Sequence, residues 1–334
     1  MFHSNKLFLF LLLLFFPLLT NCTENKPDSI GFSSELDVIL DPNIDYISTE
    51  QVETSIYKFR IRGIDEPFFE QVSIRVKDSV KIPRNKNLLL ILESGSPLFN
   101  NTFADLFDPQ FLKSLSSSDY PVTIVKNDLF YRGQRVYIIL TSPDKIDTPK
   151  LFTILSQMTE KIIISSIGKI RNEIVENYDE KLSQILADSL GIPIQIPIGY
   201  QLVLSKNDNT SFLMRRGVGS KTEEWIVITH LTSSVVPPQN RDEFIKFRTK
   251  VVSQLIQFSD GSLMQTRSAE VIDSAGFRFR GEWVTEPYPM SGIYTGKIIK
   301  SKKGKLYIEA GVYSPGRSKT LNLLRHENFL NFNR

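Results

Sequence analysis

Hydrophobic residues in the first part of the chain follow the spacing of short strands more often than that of helices. Brief apolar runs and alternating segments predict strands at residues 35–40, 69–76, 88–92, 122–125 and 135–140. Between the first two, Ser48 and Gln51 have the spacing of a capping box, which predicts a helix that continues to about Gly63. A further short helix is expected near residues 108–115.

The pattern changes at Asp147-Thr148-Pro149, where an N-cap residue and a first-turn proline occur together. From there apolar residues recur every three or four positions as far as Gly191. This spacing predicts one long helix over residues 148–191, bent near Ser165, Ser166 and Gly168. The helix would connect the two halves of the chain.

After Gly191 the strand pattern returns and is interrupted by two helices. Helices are predicted from Asn240 to about Phe258 and over residues 322–332. Strands are predicted at residues 192–197, 200–204, 211–215, 224–229, 264–272, 277–284, 292–299 and 306–313. The chain therefore reads as α+β, with two sheet-and-helix halves joined by a long helix and each sheet covered by helices on one face.

The apolar stretch Leu7–Phe16 follows Lys6 and is too short to cross a bilayer, which takes ~20 residues. It ends near Leu19-Thr20-Asn21-Cys22, which resembles the lipobox of bacterial lipoproteins, and Cys22 is the single cysteine of the chain. We expect a signal peptide over residues 1–21 and acylation, as with palmitate, at Cys22. An unpaired thiol and an uncleaved membrane anchor are the alternatives.

This leader determines the predicted domain organisation and cellular location of the protein. Residues 22–30 form a tether, 31–147 an N-terminal α+β half, 148–191 the connecting helix and 192–334 a C-terminal α+β domain. Thr23 stands where an aspartate would mark retention in the inner membrane, which favours a cell-envelope location at the outer membrane facing the periplasm or exterior. The formal net charge of +3 does not indicate a partner such as nucleic acid.

Residues that carry common chemistry are scarce in the part that follows the leader. His230 and His326 are its two histidines, and no nucleophile elbow, zinc motif or EF-hand loop is present, so we expect no catalytic residue, no metal site and no cofactor. The glycine-rich segment 217–222 predicts a hairpin turn, since a phosphate-binding loop would have to open a helix. The lysines near Gly304, which start at Lys297 and end at Lys305, favour a solvated turn over a lipid or glycan contact.

The segment Phe277–Trp283 alternates arginines with aromatic residues. In a strand, Arg278, Arg280 and Glu282 share one face, whereas Phe277, Phe279 and Trp283 lie mostly on the other and belong to the core. Together with Arg317 and Lys319 downstream, the charged face is a candidate partner-binding surface. Ordinary ion pairing across strands is the alternative.

The order of several short motifs in the second half resembles one family. These landmarks are Gly191–Tyr200, Phe212–Arg216, Gly261–Thr266, Arg280–Trp283, Met290–Gly292 and Val312–Pro315. The chain resembles the bacterial lipoproteins grouped as domain of unknown function 4837. That resemblance implies a lipid anchor and an envelope address, and it implies no activity for any residue.

From these features we expect a membrane-anchored envelope lipoprotein that is not an enzyme. It would bind an unknown envelope protein or glycan, or aid envelope assembly, and would touch the membrane through its N-terminal acyl chains. The alternative is an exported hydrolase that uses two carboxylates and acts on an envelope glycan. An open cleft with paired acidic side chains would favour this alternative.

The anchor generates a first prediction. Cys22→Ser should release the protein from membranes or leave an unprocessed precursor, because the acylated thiol is removed. Labelled palmitate should enter the wild-type protein and not the variant. Equal labelling of both proteins would refute an acyl anchor at Cys22.

Overall fold

The computed structural model describes residues 26–64, 66–77, 81–114, 121–143, 147–173, 177–205, 211–231, 238, 240–256, 258, 261–273, 277–287, 290–315 and 319–332. Within this part the fold is α+β, with two sheets and a long helix between them in sequence, as predicted. Two compact units are present. The first contains Leu36–Ile44 and Arg75–Lys145, and the second contains Asp45–Ile74 and Ile146–Arg334.

The described α-helices are α1 (Thr49–Tyr57), α2 (Pro109–Ser114), α3 (Thr148–Glu173), α4 (Glu180–Leu190), α5 (Arg241–Ser253) and α6 (Thr320–Phe332). The strands of the first sheet are β1 (Glu35–Leu40), β2 (Gln71–Val76), β3 (Asn87–Glu93), β4 (Val122–Asn127) and β5 (Arg135–Thr141). Those of the second are β6 (Gln201–Ser205), β7 (Ser211–Arg216), β8 (Glu223–Leu231), β9 (Leu263–Thr266), β10 (Glu270–Asp273), β11 (Arg278–Glu286), β12 (Ser291–Ser301) and β13 (Gly304–Tyr313).

The first sheet has the strand order β2-β1-β3-β5-β4. Its central strand β3 pairs in parallel with β1 and β5, and β4 adds an antiparallel edge. Every residue of β3 is buried, as expected of an apolar run in the middle of a parallel sheet. A π-helical turn at Phe99–Phe103 supplies aromatic residues to the core on one face.

The second sheet is antiparallel, with the order β10-β11-β12-β13-β8-β7-β6 and β9 paired to β11. Helices cover both of its faces, which corrects the prediction of a single covered face for this half. Helix α5 packs with Trp225, Phe279 and Trp283 on one face, whereas α4 and α6 pack on the other with Ile226 and Ile308. Strand β8 carries the continuous apolar run Trp225–Ile228 because both of its faces are buried.

The predicted helix over residues 148–191 is two helices in the structure. Helix α3 ends at Glu173, and Asp179 begins α4 by accepting a hydrogen bond from the Leu182 backbone N–H at 2.9 Å. The chain before α4 is extended, because the Asp179 N–H donates to the Ile196 carbonyl at 2.8 Å. A strong N-cap and this pairing override the continuous apolar spacing.

Other predicted boundaries also differ from the structure. Residues 192–197 form no strand, since Pro193 and Pro197 have no N–H to donate, although Ile194 and Ile196 are buried. Helix α1 has the predicted capping box but ends at Tyr57, where the chain turns to pair Arg60 with Pro67. The predicted strand over residues 264–272 is divided into β9 and β10.

A buried ion pair fixes α5 on the sheet. The Arg248 guanidinium donates from Nε and Nη2 to the two oxygens of Glu309, at 2.8 and 2.7 Å, and neither side chain is exposed. The same guanidinium lies 3.5 Å from the centre of the Tyr294 ring. Burial, with Glu309 beside it, raises the pKa of Tyr307, whose hydroxyl therefore stays protonated and donates to Glu309. This network is fully engaged, so we interpret it as structural.

Trp225 and Trp283 meet edge to face in the same core, with ring centres 5.1 Å apart. Gly311 lies directly opposite Trp225 on the neighbouring strand, and a Cβ atom there would be 2.3 Å from the indole ring. The absence of a side chain at Gly311 is thus what lets the ring lie flat against β13. Phe279 and Trp283 are core residues as predicted, whereas Phe277 lies outside β11 and is 44% exposed.

This close approach generates a second prediction. Gly311→Ala should lower the free energy of unfolding by about 1–3 kcal/mol, because the methyl group forces the Trp225 ring to move. Gly168→Ala is the matched control: Gly168 lies in α3 with open space around its Cα, so alanine should stabilise by up to ~1 kcal/mol. Urea unfolding of both variants measures this, and equal effects would contradict the packing argument.

Candidate functional site

A small cleft lies on the α6-covered face of the second sheet. Its floor is formed by β11 and β12, and its walls come from α6 and the last turn of α3. It has a volume of about 80 Å³. The side chains that define its chemistry are Arg171, Arg278, Arg280, Thr295, Glu327 and Leu330.

Glu327 of α6 connects two of the cleft arginines. Its Oε1 accepts a hydrogen bond from Arg280 Nε on β11, and its Oε2 lies 3.6 Å from Arg171 Nη2 on α3. Both Glu327 and Arg280 are largely buried, at 11% and 14% side-chain exposure. The carboxylate therefore ties three elements together at the cleft.

Further contacts position Arg280 and Arg171. Arg280 Nη1 donates to the Arg62 carbonyl at 3.3 Å, in the turn after α1. Gly63 in this turn has a left-handed backbone, with φ +85°, and a Cβ atom there would be 3.1 Å from the Arg280 Cβ. The Arg171 carbonyl accepts from Asn328 at 3.3 Å, but its Nε is buried without a hydrogen-bond partner in the described part of the chain.

Arg278 differs from its neighbours because its side chain makes no hydrogen bond or ion pair within the described residues. It is half-buried at the start of β11 and lies directly opposite Lys297 on β12. Like charges in directly opposed positions repel. Arg278 is thus a cation at the cleft whose side chain has no hydrogen-bond or ion-pair partner in the described part of the chain, although Asp273 is its backbone neighbour on β10.

The charges around the cleft do not balance. Arg62, Arg171, Arg278, Arg280 and Lys297 supply five positive charges, and Glu270, Asp273 and Glu327 supply three negative ones. Glu270 is paired with Arg62 at the rim, and Asp273 is the cross-strand neighbour of Arg278. The excess of two positive charges makes the cleft suited to an anion.

A second charged cluster lies nearby on the same face, around Glu224 of β8. The carboxylate accepts from Tyr200 at 3.0 Å and from Arg216, and it lies 3.2 Å from His326 Nε2 on α6. Burial alone would raise the pKa of Glu224, but His326 and Arg216 outweigh burial and hold that pKa well below its usual value. Adjacent residues of α6 thus reach Glu224 and the cleft.

The candidate surface predicted from the sequence is only partly assembled. Arg278 and Arg280 line the cleft, whereas Glu282 lies further along the same face of β11, 4.0 Å from Arg267. Lys319 is held elsewhere by Glu66, with Nζ 2.7 Å from the carboxylate. Arg317 and Cys22 lie outside the described residues.

Sequence reasoning missed Arg171 and Glu327. Arg171 closes the long helix and Glu327 belongs to the charged triplet Arg325-His326-Glu327 within an otherwise apolar helix. The sequence signal that could have indicated Glu327 is the charged triplet itself. On a helix that covers a sheet, at least one of three consecutive residues must face the core. The partners of Glu327 on β11 could not be inferred from spacing.

The turn at Lys302, Lys303 and Gly304 is exposed, whereas Lys297 from the same group of lysines lies within β12 and has a structural contact. Lys297 is buried, at 4% exposure, and its Nζ donates to the Leu330 carbonyl near the end of α6. Lys303 Nζ donates to the carbonyls of Asp188 and Ser189 at the end of α4. Cations at helix C-termini are favoured by the helix dipole and by the free carbonyls there.

The remaining chemical candidates give no assembled site in the described residues. The segment 217–222 is the turn between β7 and β8, as predicted. His230 is the last residue but one of β8, and its neighbours Ser233 and Ser234 lie outside the described residues. No group of three potential metal ligands occurs among the described residues. No described helix is both long and apolar enough to cross a membrane.

Comparison with known proteins agrees with the motif order noted in the sequence. The family model described as domain of unknown function (DUF4837) matches residues 179–331. This part of the chain is similar to that family. The matched region begins at the Asp179 N-cap of α4 and ends in α6, so it contains Arg278, Arg280 and Glu327 but not Arg171.

Other comparisons add little to this family match. None of the curated proteins that were compared matches the chain. Among solved structures, the Ran-binding protein Mog1p of Saccharomyces cerevisiae is similar at 14% identity and a TM-score of 0.26. The match covers 42% of this chain and 84% of Mog1p.

The Glu224 cluster generates a third prediction. A carboxyl whose pKa is lowered by folding stabilises the protein above its unfolded pKa, near 4.5, and this stabilisation is lost as the pH falls below that value. Glu224→Gln should cost roughly 3 kcal/mol at neutral pH, because Arg216 and His326 lose a buried partner.

Chemical denaturation from pH 7 to pH 3 tests this. The wild-type free energy of unfolding should fall more steeply below pH 4.5 than that of Glu224→Gln. Glu53→Gln, on the exposed side of α1, is the control and should keep the wild-type slope. Parallel curves for wild type and Glu224→Gln would contradict the low pKa.

Proposed function

We propose that the protein is a membrane-anchored, non-catalytic envelope lipoprotein that binds an envelope partner, a protein or a glycan, through the arginine cleft. The lipobox-like Cys22 and the apolar leader support the anchor. The binding role rests on one observation: Arg278 stands at a concave, positively charged site with no partner within the described residues. Arginine is enriched at the energetic centres of interfaces, where it pairs with groups of the partner.

The cleft suits binding better than hydrolysis. A glycosidase needs two carboxyl groups roughly 5–10 Å apart, one of which acts as an acid. Among the described lining residues Glu327 is the one carboxylate, so the pair of carboxyl groups that a glycosidase requires is not assembled there. Glu327 is instead engaged by Arg280 and Arg171. No observation therefore favours the hydrolase alternative.

The cleft is large enough to hold one small chemical group but too small to enclose a complete ligand. Its volume of about 80 Å³ is well below the ~300–1,000 Å³ of pockets that enclose a small molecule. It exceeds the ~10–15 Å³ that one water molecule requires. The partner would therefore place one small charged group in the cleft and contact the surrounding surface with the rest of its mass.

Site-specific crosslinking tests this function. A photo-crosslinking amino acid at Ile272, which lines the cleft, should capture a discrete envelope component from cells that express the full chain. Capture should be lost in Arg278→Gln and retained in Arg267→Gln, which removes the same charge from a side chain 66% exposed outside the cleft lining. Capture that is the same in both variants would contradict a binding role for the cleft.

A further inference from the structure

We infer that the anionic group bound in the cleft is a phosphate monoester carried by the partner. This inference rests on the proposed binding role of the cleft and specifies its chemistry. The excess of two positive charges around the cleft matches the charge of a phosphate monoester, which is −1.5 to −2 at pH 7. A carboxylate would neutralise only half of this excess.

The hydrogen-bond donors in the cleft suit a ligand that accepts hydrogen bonds from several directions. Arg280 uses Nε and Nη1 for Glu327 and the Arg62 carbonyl, which leaves Nη2 for a ligand. The guanidinium of Arg278 has no partner among the described atoms, and Arg171 adds a helix-borne guanidinium to the lining. Donors from a strand and a helix suit the three outward oxygens of a phosphate better than the planar pair of a carboxylate.

The charged neighbours explain why the site keeps its shape without a ligand. Glu327 holds Arg280 and Arg171, and Lys297 is fixed by the Leu330 carbonyl of α6. Among the charged side chains described in the lining, Arg278 is the one without a fixed partner, so ligand binding requires little rearrangement. The cleft volume of about 80 Å³ admits a single phosphate group but not the sugar or side chain that bears it.

Calorimetric titration of the full chain, purified in detergent, tests this inference. The probes are inorganic phosphate, glucose 6-phosphate and acetate at constant ionic strength, because exposed charges are screened by salt. Both phosphates should bind at least tenfold more tightly than acetate. Binding of inorganic phosphate but not glucose 6-phosphate would overturn the claim of an esterified group, and equal binding of acetate would overturn the preference for phosphate.

Matched variants assign the binding to the cleft. Arg278→Gln should weaken phosphate binding about tenfold, the order expected for one hydrogen bond between charged groups, and should leave the melting temperature unchanged since Arg278 has no partner in the described fold. Arg267→Gln should change the affinity less than twofold. Unchanged phosphate affinity in Arg278→Gln would overturn the site. If crosslinking depends on Arg278 but phosphate does not bind, the proposed function stands and the phosphate inference is wrong.

Discussion

The cleft depends on one carboxylate, Glu327, and its two guanidinium partners. Arg280 belongs to β11 and Arg171 to α3, so this single side chain connects a strand and two helices that are far apart in the sequence. A largely buried carboxylate is stable only when it is paired. Because Glu327 requires both arginines, the fold concentrates positive charge at this place, and the additional presence of Arg278 leaves charge for a ligand.

Helix α6 joins packing to charge placement. Its apolar residues Phe329 and Leu330 lie in the core. Arg325 and His326 contact the Glu224 carboxylate, and Glu327 contacts Arg280 on the same sheet. Ion pairs in such positions contribute less to stability than apolar packing of equal volume, but they define orientation. The opposite face of the sheet has its own buried pair, Arg248 and Glu309, which holds α5. Charge therefore sets the register of the helices on both faces.

Local sequence patterns predicted most of the helices and strands, but they could not predict contacts between residues far apart in the sequence. Period-two alternation in β11 separated core Phe279 and Trp283 from polar Arg278 and Arg280, because strands present alternate residues to opposite faces. Apolar spacing could not reveal the end of α3, since the break comes from pairing of Asp179 with Ile196. Likewise Arg171 and Glu327 join the cleft only through tertiary packing, which explains why half of the candidate site was missing from the sequence-based prediction.

The central claim is that this cleft binds an anion. The most direct test is a crystal structure of the protein soaked in phosphate. The account predicts density for a tetrahedral ion in the cleft, with Arg278 and Arg280 nitrogens about 2.7–2.9 Å from its oxygens. Ordered water in the cleft, with Arg278 turned to the solvent and phosphate bound elsewhere or absent, would contradict it.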